Sequence, residues 1–125
     1  MPVFIDPSSE QFSSFAKCGH KGEVVMLNLL RFNVDGGEQS YAEYGQAIYP
    51  MLQARGAEVI YQGAGLPTVI GGDEQWDEML LVRYPAIDAF IDMVTSDEYQ
   101  AIVHLRTAAV ADSRLYPLAS ENGLG

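Results

Sequence analysis

An α+β domain is the fold class that the sequence predicts, and three observations support it. Two stretches, 23–32 and 76–84, have the alternating apolar pattern of strands. Two others, 40–55 and 95–112, begin with helix-capping residues and continue with apolar side chains at helical spacing. The predicted elements follow one another as helix, strand, helix, strand, strand, helix pair and strand. This order indicates two βαβ-like halves around an antiparallel hairpin, which predicts a ferredoxin-like split βαβ sandwich with an extra N-terminal helix.

Length and charge restrict the classes of function. The chain has 125 residues, enough for one domain, and its hydrophobic fraction of 48% is sufficient for a core. Seventeen acidic residues against seven basic ones give a formal charge of -10, which makes nucleic acids and anionic membranes poor partners. The single cysteine, Cys18, cannot form an intrachain disulfide. Because the first twenty residues lack a basic start and a long apolar run, we expect no signal peptide and a cytoplasmic location.

The N-terminal part of the chain predicts a short helix and then a buried strand. Asp6 suits the helix cap and Pro7 the first helical position. In the strand 23–32, apolar side chains point both ways, so we expect it to be covered on both faces. Residues 1–22 are therefore interpreted as an N-terminal appendage of the domain that follows.

A capping-box pattern, Ser40 with Glu43, predicts that the next helix begins there and ends at Arg55. Pro50 lies inside it and should kink or break it near Ile48. The later elements are predicted as extended segments over 58–64 and 68–70, a turn over 71–73, a strand over 76–84, a short helix over 86–94, a long helix over 95–112 and a strand over 113–118. We assign the domain to 23–118 and a frayed tail to 119–125.

The long helix carries the clearest anomaly of the sequence. Helical spacing places Arg106 at the centre of its apolar face. A guanidinium stays protonated and is costly to bury, so Arg106 must meet a carboxylate, carbonyl groups or a bound anion. Either it holds the carboxylate or enolate oxygen of a small substrate, or it forms a structural ion pair with an acid such as Glu58 or Glu78.

Other polar residues on apolar faces are candidates for the same site. Asn28 is the one polar residue among apolar neighbours in the first strand, where it orients a substrate carbonyl or satisfies a buried neighbour. Tyr41, Tyr44 and Tyr99 lie on the helix faces that cover the sheet, where a phenol packs its ring and still offers a hydroxyl. Tyr44 is favoured because it lies one turn deeper than Tyr41.

Two further arginines, Arg31 and Arg83, share an end-of-strand position. Together they could widen an anion site, and the alternative is a role in salt bridges at the rim or at a subunit interface. Trp76 either stacks on a ligand or packs at the rim. We expect no metal site, because His104 faces away from Arg106 and His20 lies in a distant loop, and we expect no cofactor.

The predicted sheet has two apolar faces and only one layer of helices to cover them. The N-terminal helix is too short to cover the second face. We therefore predict a symmetric homodimer in which sheet packs on sheet as a dimeric α+β barrel.

Several segments together resemble the domain-of-unknown-function family numbered thirteen-thirty. They are VVMLNLLRF, the pair Tyr41 and Tyr44, LVRYP, SDEYQ, LRTAA and ADS, within 24–118. The resemblance implies a dimeric barrel of ferredoxin-like subunits, similar to cofactor-independent monooxygenases of polyketide biosynthesis, muconolactone isomerases and stress-responsive barrel proteins. It implies no established reaction. The chain departs from the family pattern at Arg83, in place of a carboxylate, and at Gly71 and Gly72, in place of Glu-Gly.

These observations predict a protein that binds a compact anionic or enolisable molecule between helices and sheet, with Arg106 as anchor and Asn28 and Tyr44 as polar guides. In an enzyme, these residues would support cofactor-free, isomerase-like or lyase-like turnover. The alternative is a non-catalytic binding or assembly module in which Arg106 is structural. The first reading requires a pocket that reaches Arg106, and the second requires a filled interior with a carboxylate at salt-bridge distance.

Overall fold

The structure is a computed structural model that describes residues 2–120. Its elements are α1 (Ser9–Ala16), β1 (Val24–Phe32), α2 (Gly37–Ala54), β2 (Glu58–Ala64), β3 (Glu78–Tyr84), α3 (Ile87–Val94), α4 (Asp97–Ala109) and β4 (Val110–Ala119). Within the described residues, no helix is both long enough and apolar enough to cross a membrane.

The four strands form one antiparallel sheet in the order β2-β3-β1-β4. The two central strands, β1 and β3, are the ones whose sequences are apolar on both faces. Helices α2 and α4 make the two crossover connections and pack against each other. The predicted ferredoxin-like α+β fold is confirmed.

The register of β1 with β3 and β4 assigns the regularly paired side chains of these strands to one of two faces of the sheet. The inner face, which the helices cover, consists of Val24, Met26, Asn28 and Leu30 with their partners Tyr84, Val82, Leu80 and Glu78 in β3 and Ala119, Pro117, Leu115 and Ser113 in β4. The outer face consists of Val25, Leu27 and Leu29 with Arg83, Leu81 and Met79 in β3 and Leu118, Tyr116 and Arg114 in β4. No described helix covers the outer face as α2 and α4 cover the inner one.

The start of α2 is held close to the end of α4. A Cβ atom on Gly37 would lie 2.5 Å from the carbonyl oxygen of Ala109, so only glycine permits this approach. The backbone N–H of Asn33 donates to the same oxygen at 2.8 Å, and its side-chain Nδ2 donates to the oxygen of Ala108 at 2.8 Å. These contacts fix the last turn of α4, which carries Arg106.

Three helices begin at other residues than the sequence predicts. Helix α2 begins at Gly37, and the hydroxyl of Ser40 donates to the carbonyl of Leu105 at 2.7 Å instead of capping the helix. The cap of α4 is Ser96 rather than Thr95, since the Oγ of Ser96 accepts from the N–H of Tyr99. The cap of α1 is Ser8 rather than Asp6.

Pro50 does not break α2, which continues to Ala54. Because Pro50 has no backbone N–H, the carbonyl of Gln46 lacks its helical hydrogen bond. Both residues are exposed, so water can donate to that carbonyl instead. Residues 68–70 do not form a strand but belong to the irregular connection between β2 and β3. The predicted end of the long helix at residue 112 is also wrong, because α4 ends at Ala109. Val110 has extended backbone angles, is the first residue of β4 and pairs with Phe32 in β1.

The predicted division into appendage, domain and tail stays a prediction. Of the predicted tail, Ala119 belongs to β4, and residues 121–125 lie outside the described residues.

Candidate functional site

A cavity of 1460 Å³ lies between the helices and the inner face of the sheet. Its floor includes Met26, Asn28, Leu80 and Val82, and residues of α2 and α4 line it from above. Residues 4–7 and two phenylalanines of α1 close one side. The volume exceeds the several hundred Å³ typical of small-molecule sites.

Arg106 lines this cavity and is half-buried as a residue. Nη1 donates to the carbonyl oxygen of Ile5 at 2.6 Å, and Nη2 donates to the Oγ of Ser113 at 3.3 Å. Within residues 2–120 Arg106 forms no salt bridge; Glu58 pairs with Arg83, and Glu78 accepts from Gln62. Neither acid considered as an ion-pair partner therefore reaches Arg106.

The three tyrosines come together beside the cavity. The hydroxyl oxygens of Tyr44 and Tyr99 lie 2.9 Å apart in a buried hydrogen bond between α2 and α4. The ring of Tyr41 lies 5.4 Å from that of Tyr44, centroid to centroid. All three line the cavity, as the helical periodicity of their positions predicts.

The environment keeps the phenols of Tyr41 and Tyr44 neutral. Burial raises the pKa of Tyr41 to about 12, although the nearby Arg106 guanidinium opposes the increase. Burial, together with the Tyr99 hydroxyl, raises the pKa of Tyr44 well above its ordinary value, and Arg106 again opposes the shift. At neutral pH both tyrosines therefore act as hydrogen-bonding phenols and not as bases.

Asn28 lies on the cavity floor, two residues along the strand from each of its apolar neighbours on the inner face, Met26 and Leu30. Its Nδ2 donates to the carbonyl oxygen of Met26 at 3.2 Å. The structure therefore places Asn28, Tyr41, Tyr44, Tyr99 and Arg106 around one cavity.

Arg31 and Arg83 do not join this group. Because β1 and β3 are antiparallel, residues that share an end-of-strand position lie at opposite ends of the sheet, and Arg83 pairs with Val25. Arg31 lies 3.7 Å from Asp112, and Arg83 forms salt bridges with Glu23 and Glu58. The predicted joint anion site is therefore wrong within this chain, and both side chains form the salt bridges of the alternative reading.

Arg114, which the sequence does not single out, is the centre of a second cluster. Its guanidinium lies 4.8 Å from the ring centroid of Phe4 and 5.1 Å from that of Trp76. It also donates to Asp112 at 2.7 Å and to Glu74 at 3.2 Å. Trp76 therefore packs on an arginine of the chain itself. The sequence signal for this cluster is the spacing of Asp112 and Arg114, which places their side chains on the same face of a strand.

Asp112 joins the N-terminal segment to β4. Its Oδ1 accepts from the backbone N–H of Phe4 at 2.9 Å and from that of Ser113 at 2.9 Å. Burial alone would raise the pKa of Asp112, but these N–H groups and Arg114 outweigh it and hold the pKa below its usual range. The carboxylate is therefore ionised.

The two histidines lie apart from the cavity lining, with His20 Nε2 at 2.8 Å from the carbonyl oxygen of Glu23 and His104 exposed on α4. In the described part of the chain, no three His, Cys, Asp or Glu side chains are grouped so that they could hold a metal ion.

The sheet order, the two crossover helices and the cavity under them define a ferredoxin-like α+β domain with a cavity between helices and sheet. Within this class, the chain belongs to the family described as Domain of unknown function (DUF1330), whose model matches residues 30–116. The predicted family membership is confirmed. A comparison with curated proteins finds no match.

Solved structures show the same architecture. The crystal structure of methylated RPA0582 protein, a protein of unknown function from Rhodopseudomonas palustris, is 35% identical over 100% of both chains, with a TM-score of 0.90. A dabb family protein with a ferredoxin-like fold from Mesorhizobium loti is 12% identical and has a TM-score of 0.59, over 82% of this chain and 100% of that chain. A dimeric ferredoxin-like protein of unknown function from Jannaschia sp. CCS1 is 11% identical, with a TM-score of 0.60 over 79% of this chain and 100% of that chain. The last two likenesses show the fold alone.

Proposed function

We propose that the protein binds a small anionic or enolisable organic molecule in the cavity, with Arg106 as its anchor. The observation that carries this proposal is a guanidinium on the cavity wall that has no carboxylate partner among residues 2–120. Such a group presents a planar set of N–H donors, which suits a carboxylate or enolate oxygen. The cavity is also large enough to admit a ligand.

The polar residues near Arg106 would orient the ligand. Asn28 offers an amide on the floor, and Tyr41 and Tyr44 offer neutral hydroxyls beside it. Because the raised pKa values of Tyr41 and Tyr44 keep them protonated, these tyrosines would donate to a carbonyl or enolate oxygen. This supports stabilisation of an enolate, the step of an isomerase-like or lyase-like reaction.

Binding is better supported than turnover. Among the described residues that line the cavity, Asp6 is the one carboxylate, and it is exposed. A proton-transfer reaction needs a base within reach of the substrate. Because the one carboxylate of the described lining is exposed, turnover has less support than binding.

The alternative, a module in which Arg106 is structural, also has an observation in its favour. The 2.6 Å bond from Arg106 to the Ile5 carbonyl holds the N-terminal segment beside the cavity. That role would require no ligand.

A thermal-shift screen of small carboxylates, phenols and lactones separates the two readings. A ligand that binds only the folded state raises Tm. We expect at least one compound to raise the Tm of the wild type and of Arg55→Met but not of Arg106→Met. Arg55→Met is the matched control, because it removes the same charge from an arginine that pairs with Asp92 and does not line the cavity. A screen without any stabilising compound, or equal shifts in Arg106→Met, would overturn the proposal.

We also propose that two copies pair through the outer face. Its central positions, Leu27, Leu29 and Leu81, are apolar, and Tyr116 and Leu118 beside them are 47% and 43% exposed. The neighbour from Jannaschia is described as dimeric. Light scattering at micromolar concentration should give twice the 13.7 kDa of one chain, and a monodisperse monomer would refute the dimer.

A further inference from the structure

We infer that the ligand class is an amphipathic carboxylate, with its acid group at Arg106 and an apolar acyl or aryl body along the floor of the cavity. This inference rests on the proposed function and names the kind of molecule that the same site would take. It replaces the compact ligand that the sequence predicts with a longer one.

The charged groups of the cavity lie at one end. Among the described lining residues, the charged ones are Asp6, Arg106 and Arg114. Arg106 contacts Ser113, which pairs with Leu30 in β1. Asp6 follows Ile5, which Arg106 contacts, and Arg114 follows Ser113. All three therefore belong to the end of the sheet at which Leu30 lies, but the side chain of Arg114 lies on the outer face and pairs with Asp112 and Glu74, so Arg106 is the cation of this group that faces the cavity.

The other end is apolar and aromatic. Met26 and Val82 pair on the floor, and Tyr84 pairs with Val24 further along. The rings of Phe90 and Tyr84 lie 5.3 Å apart, and the ring of Phe15 in α1 lies 5.8 Å from that of Phe90. None of the charged lining residues belongs to this end.

The distance between the two ends sets the length of the ligand. Ser113 lies at the level of Leu30, and Tyr84 lies at the level of Val24. Six residues of strand separate these levels, which corresponds to roughly 20 Å. A short acid bound at Arg106 would leave the apolar end of the cavity unfilled. An acid with an apolar body would remove from water both its own apolar surface and that end of the cavity.

The test is a series of straight-chain carboxylates from acetate to hexadecanoate, whose extended chain is long enough to reach from Arg106 to the apolar end, titrated into the wild-type protein by calorimetry. We expect Kd to fall about fourfold per added methylene, the fold-change that corresponds to about 0.8 kcal/mol, until the apolar end is filled. The methyl ester of each acid, which lacks the charge, should bind at least tenfold more weakly than the acid.

Two variants locate the two parts of the ligand. Arg106→Met should lose the binding of every member of the series. Phe15→Ala removes an aromatic ring from α1, a helix without fully buried residues, and should weaken the longest acid while the shortest ones bind as they do to the wild type.

The outcomes separate this inference from the proposed function. If the acids bind through Arg106 but Kd does not change with chain length, the proposed function stands and the amphipathic ligand is refuted. If long acids bind equally to Arg106→Met, they occupy another apolar surface, and the inference is again refuted. If no acid binds, the proposed function fails with it.

Discussion

Asp112→Asn should destabilise the protein strongly, although it changes only one oxygen to nitrogen. Asp112 is 5% exposed and accepts from Phe4, Ser113 and Arg114. Asparagine keeps an acceptor oxygen but removes the charge. The guanidinium of Arg114, whose side chain is 17% exposed, then keeps one salt-bridge partner among residues 2–120, Glu74, which is 51% exposed.

The magnitude follows from these three hydrogen bonds. A bond to a charged group contributes about 1.5–3 kcal/mol and a neutral one about 0.5–1.5 kcal/mol, so removing the charge costs roughly 1 kcal/mol per bond. The expected loss is about 3 kcal/mol, at the lower end of the range for breaking a buried ion pair. In a chain of 125 residues this lowers Tm by roughly 12 °C.

Urea unfolding at pH 7 measures the loss, and an acid titration tests its electrostatic origin. The pKa of Asp112 is lowered on folding from an ordinary value of 3.8. Its stabilising contribution is therefore fully present above about pH 4. It is lost as the pH falls through the lower folded-state pKa, so stability should fall more steeply in the wild type than in Asp112→Asn below pH 4.

Asp92→Asn is the matched control for this prediction. Asp92 pairs with Arg55, but its side chain is 73% exposed, so its loss should cost at most about 1 kcal/mol. A loss in Asp112→Asn no larger than in Asp92→Asn, or identical acid unfolding of wild type and Asp112→Asn, would refute the reasoning.

Three further outcomes are expected. Tyr44→Phe leaves the buried hydroxyl of Tyr99 unpaired and should cost about 1–3 kcal/mol in urea unfolding. The double variant with Tyr99→Phe should cost less than the sum of the single changes; additive costs would contradict the bond. Gly37→Ala should destabilise the protein, because its Cβ would clash with the carbonyl oxygen of Ala109. Gly45→Ala lies in the same helix with nothing within 4 Å of its Cβ and should stabilise the protein by up to about 1 kcal/mol. Equal effects of the two changes would argue against the close approach at Gly37. Leu27→Lys on the outer face should give a monomer in light scattering, and an unchanged dimer would exclude this face as the interface.

The elements of the fold were predictable because each has a local signal. Alternation in 24–32 and helical spacing around Tyr44 and Arg106 depend only on neighbours in sequence, and the structure keeps them. The helix starts were less predictable. The side chain of Ser40 has a capping pattern, but its hydroxyl bonds to Leu105, a residue 65 positions away that no local pattern reveals.

The candidate site also contains residues that the sequence places correctly and residues that it does not. Tyr44, Tyr99 and Arg106 could be placed together because both helices had to turn their apolar faces to one sheet. Arg31 and Arg83 were misplaced because a position within a strand says nothing about strand direction. The environment of Arg114 depends on Phe4 and Trp76, which only the folded chain brings to it.

The bond between Arg106 and Ile5 makes the N-terminal segment an intramolecular competitor for the proposed anchor. A ligand that takes the Nη1 hydrogen donated to Ile5 displaces the Ile5 carbonyl, so its measured affinity contains the free energy of that exchange. By reciprocity, the ligand weakens the attachment of the segment by the same factor as the segment weakens the ligand. Proteolysis near residues 4–7 would then report on occupancy of a cavity that the protease never enters.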